Sequence, residues 1–150
     1  MKLYVVIALT LMLFSVQCLI SVEEKEAIKD QDLVINISDL AEDVSFFPVE
    51  IEGVQMEILA VKSYDKSIRI AFNTCEVCYP SGKGYFEQKG TVVVCQNCGN
   101  RYRMSQIGLE KGGCNPVPIT AENRTDKEGK ITIAAEFIAE YKYMFLNWKN

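Results

Sequence analysis

The chain has 150 residues, 49% of them hydrophobic, with six cysteines, no histidine and a formal net charge of -4. This length accommodates one domain of ordinary size with its own hydrophobic core. The absence of histidine excludes histidine-based catalytic triads, histidine-ligated haem and mixed cysteine–histidine zinc fingers, so a metal site must use thiolates or carboxylates. The excess of acidic over basic residues disfavours neutralisation of phosphates, and no nucleic-acid partner is expected.

The first predicted element is an apolar helix within residues 1–22. Residues 3–22 carry no charge and, at a rise of about 1.5 Å per residue, would span roughly 30 Å, the thickness of a bilayer core. A basic residue precedes this stretch and acidic residues follow it, which predicts a cytoplasmic N-terminus and an exported remainder. We therefore predict a signal anchor in the cell membrane. The alternatives are a cleaved signal peptide, which would leave a secreted protein, and lipidation at Cys18.

The remaining chain divides into a charged juxtamembrane spacer at residues 23–32 and a domain at residues 33–150. Within this domain, apolar and polar residues alternate over residues 54–72 around a polar turn, which predicts a β-hairpin. A second hairpin is predicted over residues 84–94, with a glycine in its turn. Shorter strand-like runs are found at residues 33–37, 46–51 and 131–133.

Aromatic and aliphatic residues recur at helical spacing in the C-terminal segment from Ala134 to Trp148. This pattern predicts an amphipathic helix that covers one face of the sheet, and core packing is a better explanation of its aromatic stripe than a partner surface. The predicted fold class is α+β. It is a small β-rich domain of antiparallel hairpins with cysteine knuckles and a C-terminal amphipathic helix, preceded by one N-terminal apolar helix.

Four cysteines carry the clearest chemical pattern in the chain. They form two C-x2-C pairs separated by 16 residues, Cys75 with Cys78 and Cys95 with Cys98. Two intervening residues let a tight turn direct both sulfurs at one point, and the second hairpin would bring the pairs together. Such a site suits zinc as a structural element, or iron, as a cluster or a single ion, as a redox centre. Disulfides and dithiol exchange are the alternatives in an exported domain, although the odd count of five cysteines beyond residue 22 leaves one unpaired.

The fifth of these cysteines, Cys114, lies in a loop rich in glycine and proline, from Lys111 to Pro118. Two glycines permit a sharp turn before it, and two prolines stiffen the chain after it. The pattern supports two interpretations of Cys114. It is either a further metal ligand, or a small buried residue in a loop that packs beside the site.

Taken in order, the cysteine blocks resemble a known family. The blocks are AFNTCEVCY at residues 71–79, VCQNCG at residues 94–99 and KGGCNPVP at residues 111–118. They are similar to the FtrD-like membrane iron–sulfur family, over roughly residues 45–146. The resemblance implies a membrane-attached, extracytoplasmic iron–sulfur protein that is associated with ferrous iron uptake and passes electrons alongside a permease. It also implies the metal ligands, which are Cys75, Cys78, Cys95, Cys98 and Cys114.

The predicted function is therefore that of a membrane-anchored extracytoplasmic metal-binding protein, an iron–sulfur electron carrier associated with iron uptake. Its predicted partners are the membrane, through the N-terminal segment, and a membrane permease or redox partner. The alternatives are a structural zinc-ribbon-like interaction module, with zinc as the cofactor, and a thiol–disulfide exchange protein. The sequence shows no general base, phosphate loop or substrate-pocket motif, which favours a non-enzymatic carrier over an enzyme.

Overall fold

The structure is a computed structural model that describes residues 25–109 and 111–150. The apolar helix predicted within residues 1–22, with Cys18, lies outside the described residues. In the described part of the chain, no helix combines the length and the apolar character that a membrane span requires.

The regular secondary structure of the described residues consists mainly of short strands. They are β1 (Ile28–Lys29), β2 (Leu33–Asn36), β3 (Ser45–Ile51), β4 (Val54–Lys62), β5 (Ile68–Cys75), β6 (Phe86–Lys89), β7 (Val92–Cys95), β8 (Arg101–Arg103), β9 (Pro116–Pro118), β10 (Thr125–Lys127) and β11 (Lys130–Ile133). The one α-helix among them is α1 (Ala135–Glu140). Single 3₁₀ turns occupy Ile37–Asp39, Tyr79–Ser81, Met104–Gln106, Ala121–Asn123 and Lys142–Phe145.

These strands form three sheets. The largest has five strands in the order β1-β3-β4-β5-β9, and two three-stranded sheets have the orders β10-β11-β2 and β6-β7-β8. All pairings are antiparallel except that of β1, which runs parallel to β3 and lies within the predicted spacer. Both predicted hairpins are present, as β4–β5 with Ile58 opposite Phe72 and as β6–β7 with Phe86 opposite Cys95. The predicted small β-rich domain with antiparallel sheets is therefore confirmed.

Strand β4 is buried on both faces and separates two hydrophobic cores. Its residues Met56, Ile58 and Ala60 belong to one core, whereas Leu59 and Val61 belong to the other. Because successive side chains on a strand point to opposite faces, the alternation assigns one core to each side of the five-stranded sheet. The first core includes residues of the C-terminal segment, and the second includes Cys75, Cys78 and Cys95 with residues of the β6-β7-β8 sheet.

The prediction of one amphipathic helix over residues 134–148 is wrong in length. Helix α1 ends at Glu140, and a 3₁₀ turn at Lys142–Phe145 follows. Tyr141, between them, has φ -99° and ψ 3°, outside the helical range. The aromatic residues instead wrap around strand β5, where the Phe72 ring lies 4.5 Å from that of Tyr141. Core packing of the aromatic stripe thus prevails over helical regularity, since aromatic residues favour helices only weakly.

Candidate metal centre

Four cysteine sulfurs converge at one end of the five-stranded sheet. The Sγ atoms of Cys75, Cys78, Cys95 and Cys114 all lie within 4.8 Å of one another. Cys75 is the last residue of β5 and Cys95 is the last residue of β7, so two different sheets deliver them to the same point. Cys75 also pairs with Pro116 at the start of β9, which brings the loop containing Cys114 against the first knuckle.

The first knuckle, residues 75–78, is tightly held by its surroundings. The backbone N–H of Cys78 donates to Cys75 Sγ at 3.3 Å, and the Ser81 hydroxyl donates to the Cys78 carbonyl at 2.7 Å. The backbone of Gly84 packs directly against that of Cys78, so that a Cβ built on Gly84 would lie 2.5 Å from the Cys78 carbonyl carbon. Only glycine allows this close approach, and both thiols of this knuckle are buried.

The second knuckle, residues 95–98, is closed by its own backbone. The N–H of Cys95 donates to the Asn100 carbonyl at 2.9 Å, and the N–H of Gly99 donates to the Cys95 carbonyl at 2.9 Å. Gly99 has φ +76°, the left-handed conformation expected of a glycine after such a turn. Cys95 is buried, but Cys98 is exposed and does not belong to the mutually close group of four.

Cys114 lies between the two knuckles. Its Sγ is 3.8 Å from Cys78 Sγ and 2.8 Å from Cys98 Sγ. The Tyr102 hydroxyl, from β8, donates to the Cys114 carbonyl and holds the loop that contains Cys114 in place. Of the two interpretations of Cys114, the geometry supports a position among potential ligands, because its sulfur is aimed at the others.

Asn73 is a site residue that the sequence interpretation missed. It is 1% exposed and lies two residues before Cys75 on β5. Its Oδ1 accepts from the Phe86 N–H at 2.7 Å, and its Nδ2 donates to the Phe86 carbonyl at 3.1 Å. Phe86 stands opposite Cys95 in the β6–β7 ladder. Asn73 therefore sets the distance between the sheets that carry Cys75 and Cys95. The available signal was a polar residue directly after the apolar run Ile70–Phe72 and before the first C-x2-C pair.

The surroundings of the thiols shift their pKa values in different directions. Burial raises the pKa of Cys95 from its usual 9.0 to about 11, and burial also raises the pKa of Cys75. Burial, reinforced by the hydrogen bonds with Cys98 and Cys75, raises the pKa of Cys114 as well. At Cys98 burial has the same tendency, but hydrogen bonds from Cys114 and from a backbone N–H outweigh it and lower the pKa. The exposed thiol of Cys98 therefore ionises before those of Cys75, Cys95 and Cys114, which keep their protons until a cation replaces them.

This donor set fits a thiophilic metal. All its ligand atoms are sulfurs, and backbone N–H groups point at them, which stabilises thiolates and tunes the potential of a bound metal. In a tetrahedral site with metal–sulfur bonds of about 2.3 Å, neighbouring sulfurs lie about 3.8 Å apart. The 3.8 Å between Cys78 Sγ and Cys114 Sγ equals that spacing. The arrangement can therefore hold zinc or iron through four thiolates.

A comparison with protein families agrees with this chemistry. Residues 37–145 match the family described as membrane iron-sulfur containing protein FtrD-like. The match extends over both knuckles and Cys114, and it confirms the resemblance found in the sequence. No curated protein matched the chain, and no solved structure matched it.

Proposed function

The chain belongs to the FtrD-like family of membrane iron–sulfur containing proteins, and we propose that its cysteine cluster holds an iron–sulfur centre that carries electrons. The family description carries the iron–sulfur assignment, and the convergence of four sulfurs within 4.8 Å of one another supports thiolate binding of the metal. Thiolate-bound iron supplies one-electron redox chemistry whose potential depends on hydrogen bonds to sulfur and on burial.

The residues of this chain would give such a centre two different sides. Cys75, Cys78 and Cys95 are buried against the second core, which keeps water away and limits reorganisation when the charge changes. Cys98 is exposed and Cys114 is partly exposed, so their side faces solvent. Electrons would enter and leave on that side, where a partner can approach closely.

The cellular setting belongs to the same proposal. Residues 1–22 act as a signal anchor that holds the domain on the extracytoplasmic face of the cell membrane. The electron partner is a membrane permease or a redox protein of a ferrous iron uptake system. The family description as membrane proteins and the uncharged stretch at residues 3–22 support this assignment.

Anaerobic purification of the full-length chain tests the function. Visible absorption bands that dithionite bleaches, together with iron and acid-labile sulfide in the metal analysis, are the expected result. A single thiolate-bound iron would instead show iron without sulfide, and it would preserve the electron-carrier role. Colourless protein that contains stoichiometric zinc would overturn the redox proposal.

A second candidate is a structural zinc module of the zinc-ribbon type without redox activity. The observation that favours it is the 3.8 Å sulfur separation, which a single tetrahedral zinc ion would produce. A third candidate is thiol–disulfide exchange, for which the 2.8 Å contact of Cys98 with Cys114 is the supporting observation. Protein purified without metal, and with this pair oxidised, would favour the third candidate.

A further inference from the structure

The site contains one cysteine more than it needs. A tetrahedral metal ion takes four thiolates, and so does an iron–sulfur cluster, whereas five cysteines meet here. The sequence pattern treats the second cysteine of each C-x2-C pair alike, but the structure does not. Cys78 is 5% exposed, whereas Cys98 is open to solvent.

The packing of the two knuckles explains this difference. The backbone of Gly84 packs directly against the backbone of Cys78, and the 3₁₀ turn at Tyr79–Ser81 begins at the residue after Cys78. By contrast, no described atom outside its chain neighbours would lie within 4 Å of a Cβ built on Gly99. The first knuckle therefore holds both of its sulfurs rigidly, whereas the second holds Cys95 and leaves Cys98 at an open edge.

Cys114 takes the fourth inner position. Its sulfur is one of the four that are mutually within 4.8 Å, and the Tyr102 hydroxyl secures its carbonyl. Cys98 Sγ lies 2.8 Å from Cys114 Sγ on the solvent side. An ion that reaches the site from solvent thus meets Cys98 first and Cys114 immediately behind it.

Resting on the function proposed above, we propose that the four mutually close cysteines are the ligands of the loaded site and that Cys98 is an entry thiolate for a thiophilic metal ion such as ferrous iron. The Cys98 thiolate forms the first sulfur–metal bond. The Cys114 thiol then loses its proton to water and bonds to the ion. The thiols of Cys75, Cys78 and Cys95 do the same, which completes the four ligands, and the bond from Cys98 breaks. The oxidation state of the ion does not change, so the transfer needs no oxidant or reductant.

Cadmium loading of the full-length, reduced, metal-free protein in detergent tests this assignment. Cadmium alone is added, and the ultraviolet absorption of cadmium–thiolate bonds is followed in a stopped-flow instrument. The Cys98→Ser variant is expected to reach the wild-type absorbance and cadmium content. Its loading is expected to be slower by about tenfold or more, because capture at Cys98 makes the following step intramolecular.

Cys78→Ser is the matched control. It places the same substitution at the same position of the other C-x2-C pair, and it is expected to lose most of the bound cadmium. If Cys98→Ser loses as much cadmium as Cys78→Ser, the two pairs are equivalent and the inference is wrong. Loading of Cys98→Ser at the wild-type rate would equally overturn it. Far-ultraviolet circular dichroism checks that each variant is folded, and Cys98→Ala repeats the test with a second side chain.

Alkylation gives an independent readout. Iodoacetamide is expected to modify Cys98 and no other cysteine of residues 75–114 in the cadmium-loaded wild-type protein, as located by mass spectrometry. Protection of Cys98 with modification of Cys114 would reverse the two roles. Because cadmium has no redox chemistry here, these results do not depend on iron. Colourless protein that contains stoichiometric zinc would refute the electron-carrier function alone, whereas equal cadmium loss in both serine variants would refute the entry thiolate alone.

Discussion

Replacement of Asn73 by leucine should separate the two halves of the cysteine site. The asparagine side chain satisfies both the N–H and the carbonyl of Phe86, which is 1% exposed. Leucine has the same number and branching of heavy atoms but no polar atoms, so both backbone groups would be buried without a partner. Each such group costs about 1–3 kcal/mol, which gives roughly 2–6 kcal/mol in all.

This loss is large beside the typical total stability of about 5–15 kcal/mol. A loss near 3 kcal/mol lowers the midpoint of thermal unfolding by about 10 °C in a domain of this size. The Phe86 strand would also move away from β5, and Cys95 would move with it because it is paired with Phe86. Weaker cadmium binding is therefore expected together with the lower midpoint.

Thermal unfolding followed by circular dichroism and cadmium titration against a chelator measure the two effects. The control is Asn123→Ala, since Asn123 Oδ1 accepts hydrogen bonds within a local turn, from the Thr120 hydroxyl at 2.8 Å and from the Thr120 N–H at 3.3 Å. This control should cost about 1 kcal/mol and leave cadmium affinity unchanged. If Asn73→Leu loses less than about 1 kcal/mol, or binds cadmium as the wild type does, the account of the link between the sheets is refuted.

Three further predictions concern the site itself. Gly84→Ala should abolish tight cadmium binding in a chelator competition, because the new Cβ would lie 2.5 Å from the Cys78 carbonyl carbon. The backbone of Cys78 would have to move by about 1 Å to restore a normal contact distance. This displacement exceeds the roughly 0.2 Å by which metal–ligand distances can vary. Tyr102→Phe removes the donor to the Cys114 carbonyl and should weaken cadmium binding about fivefold in the same assay, corresponding to about 1 kcal/mol; unchanged affinity would show that the hydroxyl does not position the loop. In urea unfolding, the metal-free protein should lose stability as the pH rises from about 9 to about 11. Burial raises the pKa of Cys95 from 9.0 to about 11. In this pH window the folded state therefore binds more protons than the unfolded state, and its stability falls as the pH rises. Constant stability across this window would contradict the burial of that thiol.

The local features of the fold were predictable, and the long-range ones were not. Strand β4 is visible in the sequence because apolar and polar residues alternate in its first half, and its second half, between the two cores, is a continuous apolar run. The length of the C-terminal helix was predicted wrongly because it depends on such long-range contacts. Its aromatic spacing fits one helix, but the Phe72 ring on β5 draws Tyr141 and Phe145 around it. Contacts to a distant strand, which no local pattern contains, ended α1 early.

The same limit applies to the candidate site. The C-x2-C spacing was enough to predict a sulfur cluster, since it depends on two short turns. It could not distinguish Cys98 from Cys78, because their exposure depends on Gly84, which lies outside both motifs, and on the loop of Cys114. Nor could it find Asn73, whose importance depends on Phe86 being buried opposite it. Each of these features arises where separate segments meet.

The parallel pairing of β1 determines where the chain enters the domain. Lys29 pairs with Glu50, and Glu50 pairs with Gln55, at the end of the sheet toward which β5 runs to reach Cys75. Three strand spacings of about 4.8 Å place the entering chain only about 14 Å across the sheet from Cys75. The six residues from Val22 to Ile28 reach at most about 21 Å. The proposed anchor would thus hold the cysteines close to the lipid headgroups, and an electron partner would meet them by lateral diffusion in the same membrane.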